Sequence, residues 1–261
     1  MKRLAGLGVL IGACVALGAQ AQQAAEYVAI PGGTFPSVVA NDASQGLATV
    51  DGFMLRTMPV TQGEFDAFLR RYPQWQPATV PVVFAGDGYL AGWKPGSFLS
   101  PTDAKRPVTR VSWFAAKAFC EEEQARLPTW NEWEYVAAAS ATQRDARGDE
   151  HWRAEILAWY ARPATELPPP VGGAPNAYGV RDMHAVVWEW VDDFNALLVD
   201  ADSRSGSDPD KLKFCGAGAI NLKDRQNYAI LMRVALLSSL RATDSTSSLG
   251  FRCARSPASS P

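Results

Sequence analysis

Four cysteines, two histidines and one carboxylate flanked by tryptophans are the side chains of this 261-residue chain best suited to redox, metal or nucleophilic chemistry. The thiols are Cys14, Cys120, Cys215 and Cys253, the imidazoles are His151 and His184, and Glu189 stands between Trp188 and Trp190. Two histidines cannot form a three-histidine iron site or a histidine-rich zinc site. Gly216-Ala217-Gly218 beside Cys215 lets backbone approach closely, which suits tight packing or a ligand. No Lys-Ser/Thr follows it, so it is not a phosphate loop. Glu121-Glu122-Glu123 reads as a solvated helix face.

What the thiols can do depends on the compartment. Met1-Lys2-Arg3, an uncharged run from Leu4 to Ala19 and the exit Ala19-Gln20-Ala21 have the order of a secretory signal peptide, residues 1–21. Ile11-Gly12-Ala13-Cys14 resembles a lipid-attachment site, but the apolar run continues past Cys14, which favours a soluble periplasmic or secreted product. No later stretch is apolar enough to span a membrane. Removal of residues 1–21 leaves 23 basic and 27 acidic side chains, a formal charge of −4, which argues against nucleic acid as a partner. Three cysteines then remain in a compartment where cysteines pair, so one is left over. Cys215 reads as a small buried apolar residue, as a reactive or metal-linked thiol, or as half of an intermolecular disulfide.

The elements that must position these groups are short. Glu26 to Phe35 reads as a strand breaking at Pro31-Gly32-Gly33, and Thr49 to Arg56 as a second apolar stretch. Thr61-Gln62-Gly63-Glu64 is a capping box, and the spacing of Phe65, Phe68 and Leu69 predicts a helix to about Arg71. Residues 73–107 read as loop. Ser112 caps a second helix and Thr129-Trp130-Asn131-Glu132 opens a third. Residues 140–150 are polar and exposed, 163–175 form a Pro-rich extended connector, Leu249 to Cys253 is a last strand, and 256–261 a disordered tail. Few periodic segments and nine tryptophans indicate an irregular α+β domain.

Six stretches, in order, resemble the formylglycine-generating-enzyme (sulfatase-modifying factor) family. They are Ile30-Pro31-Gly32-Gly33-Thr34-Phe35; Val50 to Phe53 with Pro59-Val60-Thr61; Pro107 to Trp113 with Arg126 to Tyr135; Asn176 to Met183; Trp188-Glu189-Trp190; and Leu249 to Ala254. The resemblance covers residues 26–255. It implies a C-type-lectin-like fold with little regular secondary structure. Members acting on sulfatases bind copper(I) with two close cysteines and convert a substrate cysteine to formylglycine; other relatives join sulfur to histidine derivatives or mature a siderophore. The fold by itself leaves the reaction open.

Carried over by residue, the resemblance implies a Cys120–Cys253 disulfide, worth roughly 4–5 kcal/mol on the entropic model; pairing of either with Cys215 is the alternative. Cys215 matches the first cysteine of the copper pair. The second position falls near Ala229, and no cysteine lies between Cys215 and Cys253, so the two-thiolate site is incomplete. Ser238, Ser239 and Arg241 fall where the family recognises substrate, or are exposed strand residues. For calcium, the Gly and Asn of the family motif are Ala185 and Val186 here; Asn176, Asp182 and Glu189 remain as candidate ligands, with Glu189 read equally as a buried structural carboxylate. His184 reads as structural. The Phe214 to Ala219 and Leu249 to Arg255 stretches resemble members associated with copper nitrite reductase, that is, with denitrification. The expected function is an exported accessory or maturation factor performing oxidative modification of a protein or small molecule, with copper nitrite reductase as a partner. A non-catalytic lectin-like module recognising a periplasmic protein is the alternative.

Overall fold

A computed structural model describes residues 25–39, 46–93, 99–162, 166–184, 186–197 and 228–257. The expected signal peptide, Cys14, Cys215 with its glycines, and residues 258–261 of the expected tail lie outside the described residues. Strand β1 (Tyr27–Ile30) pairs antiparallel with β4 (Phe53–Arg56), and β4 with β7 (Ala254–Arg255). Aromatic and β-branched residues fill β1 because they pack well on a pleated surface. The break at Pro31-Gly32 is steric: a Cβ on Gly32 would lie 2.8 Å from the Val50 carbonyl oxygen. Beyond it, β2 (Gly33–Pro36) pairs antiparallel with β3 (Leu47–Val50).

Helices α1 (Gln62–Arg71) and α4 (Trp130–Ala137) start at the two expected capping boxes, and α3 (Trp113–Glu122) starts at Ser112. In each box the threonine hydroxyl accepts from the third helical N–H while the glutamate there accepts from the cap N–H, so two otherwise orphaned donors are satisfied. The expected loop 73–107 contains a 3₁₀ turn at Pro73–Trp75 and a short helix α2 (Pro101–Ala104), both opened by proline, whose missing N–H costs nothing at a helix start.

Two helices go beyond the sequence expectation. Helix α5 (Glu150–Tyr160) is capped by Asp149, at the end of the polar run 140–150, and fully buries only Ile156. Helix α6 (Tyr228–Ser238) occupies the region where the family resemblance suggested a strand. Apart from Arg233, its residues 229–237 are apolar on every side, so no helical period marks it in the sequence. Finally β5 (Trp188–Glu189) runs parallel to β6 (Leu249–Gly250), pairing Trp188 with Leu249 and Glu189 with Gly250. A Cβ on Gly250 would lie 2.4 Å from the Val108 carbonyl oxygen, so only glycine lets that chain segment pass.

One cluster of buried apolar side chains draws on strands, helices and loops, with Phe65, Phe119 and Phe251 in mutual ring contact. Cys120 on α3 and Cys253 after β6 form a disulfide across 133 residues, with Cα atoms 5.5 Å apart. The fold is thus an irregular α+β arrangement, and among the described residues no helix is long and apolar enough to cross a membrane. Replacing both bridged cysteines by alanine is expected to lower unfolding stability by roughly 4–5 kcal/mol. Urea denaturation with and without reductant checks this: reductant should destabilise the native protein and leave the double variant unmoved.

Candidate functional site

The parallel β5–β6 pair brings Glu189 to the strand end from which Arg252 projects two residues after Gly250. Arg252 donates from Nη2 to Glu189 Oε1 at 2.8 Å and from Nε to Oε2 at 2.9 Å, and neither side chain is exposed. Trp133 Nε1 donates to the same Oε2 at 2.8 Å. The remaining guanidinium donors reach the carbonyl oxygens of Arg56 at 3.2 Å and Arg181 at 2.9 Å. A fork-to-fork pair with its spare donors satisfied is the arrangement in which attraction offsets desolvation.

A second buried guanidinium lies beside the first. Arg233 of α6 is 1% exposed. Its Nη2 donates to the Glu189 carbonyl oxygen at 2.6 Å, and the group lies 3.6 Å from the Trp133 ring centroid. Burial is the largest influence on it and lowers its pKa to about 10, opposed by the charge of Glu189. His184 packs edge-on to Trp133 and Trp152, with Tyr160 beyond. Its Nε2 lies 2.8 Å from the Ala137 carbonyl oxygen, which can only accept, so Nε2 carries the proton and Nδ1 is a bare acceptor. The residue as a whole is partly exposed, while its Nδ1 is sealed from solvent and has no hydrogen-bond partner. Burial lowers the His184 pKa to about 4. Two cavities adjoin this cluster: one of about 210 Å³ against Trp159, Tyr160 and Trp188, and one of about 330 Å³ against Trp152, Trp159 and His184.

The three candidate calcium ligands are not brought together. Asn176 Oδ1 accepts from the Tyr178 and Val180 N–H groups at 3.0 and 3.1 Å, and Nδ2 donates to the Val136 carbonyl. Asp182, at a left-handed φ of 61°, accepts from the Gly172 and Gly173 N–H groups at 2.7 and 3.0 Å. Those two residues therefore close one loop, while Glu189 lies in the core with both oxygens occupied. Calcium needs six to eight oxygens, and the Glu189 carbonyl, a further oxygen nearby, already faces the Arg233 cation. These residues do not fit the ion, and among the described residues no group of three His, Cys, Asp or Glu is placed to hold a metal.

Of the other expected site residues, Cys215 lies outside the described residues, and Ala229, at the expected second thiolate position, is a buried residue of α6. The copper pair does not fit this chain, which retains one of its two soft donors. Ser238 ends α6 with its hydroxyl sealed and unpartnered. Arg241 faces solvent in the following turn, donating from Nε and Nη2 to Asp244 Oδ1 at 3.1 and 2.9 Å. The sequence reading missed Tyr160 and Arg233. The available signal was a lone arginine inside an otherwise apolar run, which must be partnered or functional when buried.

Two outcomes are expected. Glu189→Gln leaves Arg252 buried without its counter-charge and should cost about 3–5 kcal/mol, read from the urea midpoint; a loss under about 1 kcal/mol would show the pair to be dispensable. His184 has a lower pKa folded than unfolded, so as pH falls the unfolded chain binds the proton first. Its contribution is therefore full above pH 6.5 and is lost as pH falls towards about 4, by at most roughly 3 kcal/mol. Denaturation across that window should show this slope in the native protein and not in His184→Gln.

Residues 15–257 match the family described as the sulfatase-modifying factor enzyme 1-like domain. The chain is 32% identical over 167 residues to a formylglycine-generating enzyme of Streptomyces coelicolor, spanning 57% of this chain and 52% of that protein. It is 27% identical over 301 aligned positions to a formylglycine-generating enzyme of Mycobacterium tuberculosis, spanning 90% of this chain and 99% of that one. A hercynine oxygenase of Mycolicibacterium smegmatis is 28% identical over 193 residues, with 62% of this chain and 44% of that protein covered. Among solved structures, PvdO from Pseudomonas aeruginosa aligns over 89% of this chain and 94% of its own, with 21% identity and a TM-score of 0.47. The match thus spans about half the length of the Streptomyces relative and nearly all of the Mycobacterium tuberculosis one.

Proposed function

The chain belongs to the sulfatase-modifying factor enzyme 1-like family, and from that premise we propose that it is an exported maturation factor carrying out an oxidative modification of a protein or small molecule. The observation that carries this reading is the Cys120–Cys253 bridge. It uses two of the three cysteines that follow residue 21 and leaves Cys215 as the thiol available for chemistry. Formylglycine-generating enzymes and hercynine oxygenases among the relatives support an oxidative role. The basic, apolar, small-residue order of residues 1–21 supports export, and a domain over 26–255 follows once that segment is removed. Copper nitrite reductase is the protein partner we propose, on the resemblance of Phe214 to Ala219 and Leu249 to Arg255 to members associated with that enzyme.

In this reading Cys215 supplies one soft thiolate donor, and no step is assigned to a copper pair that the chain lacks. Ser238 and Arg241 are the substrate-recognition candidates of this reading. A second reading is favoured by their placement: the Ser238 hydroxyl is sealed and Arg241 is bound to Asp244, as suits a lectin-like module that binds a periplasmic protein without catalysis.

Copper(I) titration of the purified, mature protein separates the two. Cys215 acting as a single soft donor predicts one copper(I) bound per chain, abolished by Cys215→Ala, in a protein whose N-terminus is Gln22. Absence of binding by the native protein would remove the oxidative reading and leave the binding module.

A further inference from the structure

Charge does not balance at the centre of this molecule. Two guanidinium groups, Arg233 and Arg252, meet one carboxylate, Glu189, all of them buried. Arg252 and Trp133 take both carboxylate oxygens. Among the described residues no carboxylate is left for Arg233. The other buried acids are engaged elsewhere: Asp66 by Arg70, Glu132 by Arg126, Glu134 by Ser37 and Trp130, and Asp182 by two backbone N–H groups. A cation buried without a counter-ion of its own costs several kcal/mol, so an anion placed beside it would be stabilised.

Three polar atoms here are sealed from water and make no hydrogen bond of normal geometry: Arg233 Nε, the Tyr160 hydroxyl and His184 Nδ1, although the Tyr160 hydroxyl and the Arg233 guanidinium lie close enough to act on each other. The first is a donor and the second can donate. The third is an acceptor lone pair, which disfavours a second negative charge and restricts the missing group to a monoanion. The element covering them is α5, which carries Tyr160. Of α5 only Ile156 is fully buried, and it belongs to none of the main core cluster. Hollows of about 210 and 330 Å³ flank the helix, and Trp159 lines both. A helix seated on aromatic rings with space along either side opens with little loss of packing.

We propose that α5 is a lid over a binding pocket for a small carboxylate, whose anionic group is received by Arg233 and the Tyr160 hydroxyl while Trp159 and Trp188 cover its apolar body. Closed, the lid seals the three atoms; displaced, it exposes the Arg233 guanidinium, held in place by the Glu189 carbonyl and the Trp133 ring, and its return brings the Tyr160 hydroxyl to the bound carboxylate. The proposal does not depend on Cys215 or on any metal.

The full-length protein, titrated with sodium benzoate while its tryptophan fluorescence is followed, provides the test. Benzoate should bind saturably, with the neutral isostere benzamide and inorganic phosphate weaker by roughly ten- to hundredfold, the worth of one charge-assisted hydrogen bond. Arg233→Met and Tyr160→Phe should each lose that margin, whereas Cys215→Ala should bind as the native protein does, which keeps this result separate from the copper titration. Amide exchange in α5 should slow when benzoate binds. Equal binding of benzoate and benzamide, phosphate binding as tight as benzoate, undiminished affinity in Tyr160→Phe, or no saturable binding would each overturn the proposal. Should Arg233→Met not fold, Tyr160→Phe and the benzamide comparison decide the matter.

Discussion

Glu189 and Arg252, 63 residues apart and wholly inaccessible to water, form the ion pair around which the rest of the described structure is arranged. Ions of this kind are stable in a protein interior only when nearly every lone pair and proton has a partner. Here the partners come from four separate stretches: the Trp133 indole, the carbonyls of Arg56 and Arg181, and the Arg233 guanidinium on the Glu189 backbone. Each must arrive together, so the pair ties β4, α4, the loop before β5 and α6 to a common centre. The two-residue parallel strands β5 and β6 would be marginal alone, and they stand because this pair closes their ends.

A covalent constraint complements the polar one. Cys253 follows Arg252 directly, so the disulfide to α3 fixes the same segment that delivers the guanidinium. Gly250, two residues earlier, passes the Val108 carbonyl too closely for any side chain. In a domain with few long helices or strands, this short stretch from Leu249 to Arg255 concentrates close packing, charge pairing and cross-linking. That concentration explains how so irregular a chain holds one arrangement.

Against this retained scaffold, the chemistry of the site has shifted. Where the family resemblance suggested a divalent cation beside Glu189, the Arg233 side chain places a guanidinium on the Glu189 carbonyl oxygen. Asn176 and Asp182 serve the turn they sit in. One thiolate of the expected pair is replaced by Ala229 on α6. The Arg233 cation at that point occupies the carbonyl oxygen that a metal ion would need.

Local signals in the sequence were sufficient wherever the physics is local. Thr61, Ser112 and Thr129 mark helix starts because a cap is satisfied within three residues of itself. Pro31-Gly32 marks a strand break because proline lacks an N–H for the ladder and glycine favours a turn, and the ordered family motifs carried the α+β class and the Cys120–Cys253 pairing. Helix α6 was invisible, since its exposed positions carry Met232 and Ala235 instead of polar residues and so set no period. The fate of Glu189, Asn176 and Asp182 was equally hidden. A carboxylate or amide can bind a cation or accept protein hydrogen bonds, and the choice depends on which donors reach it. Arg252 and Trp133 reach Glu189 through the tertiary fold, and pairing energies of that kind have no signature in residue spacing; Asn176 and Asp182 accept from N–H groups of their own loop, whose path the residue types alone leave open. The sequence by itself therefore determined the scaffold and its covalent staple. Only the tertiary structure decided which charges are paired, and that Arg233 is the one left without a partner carboxylate among the described residues.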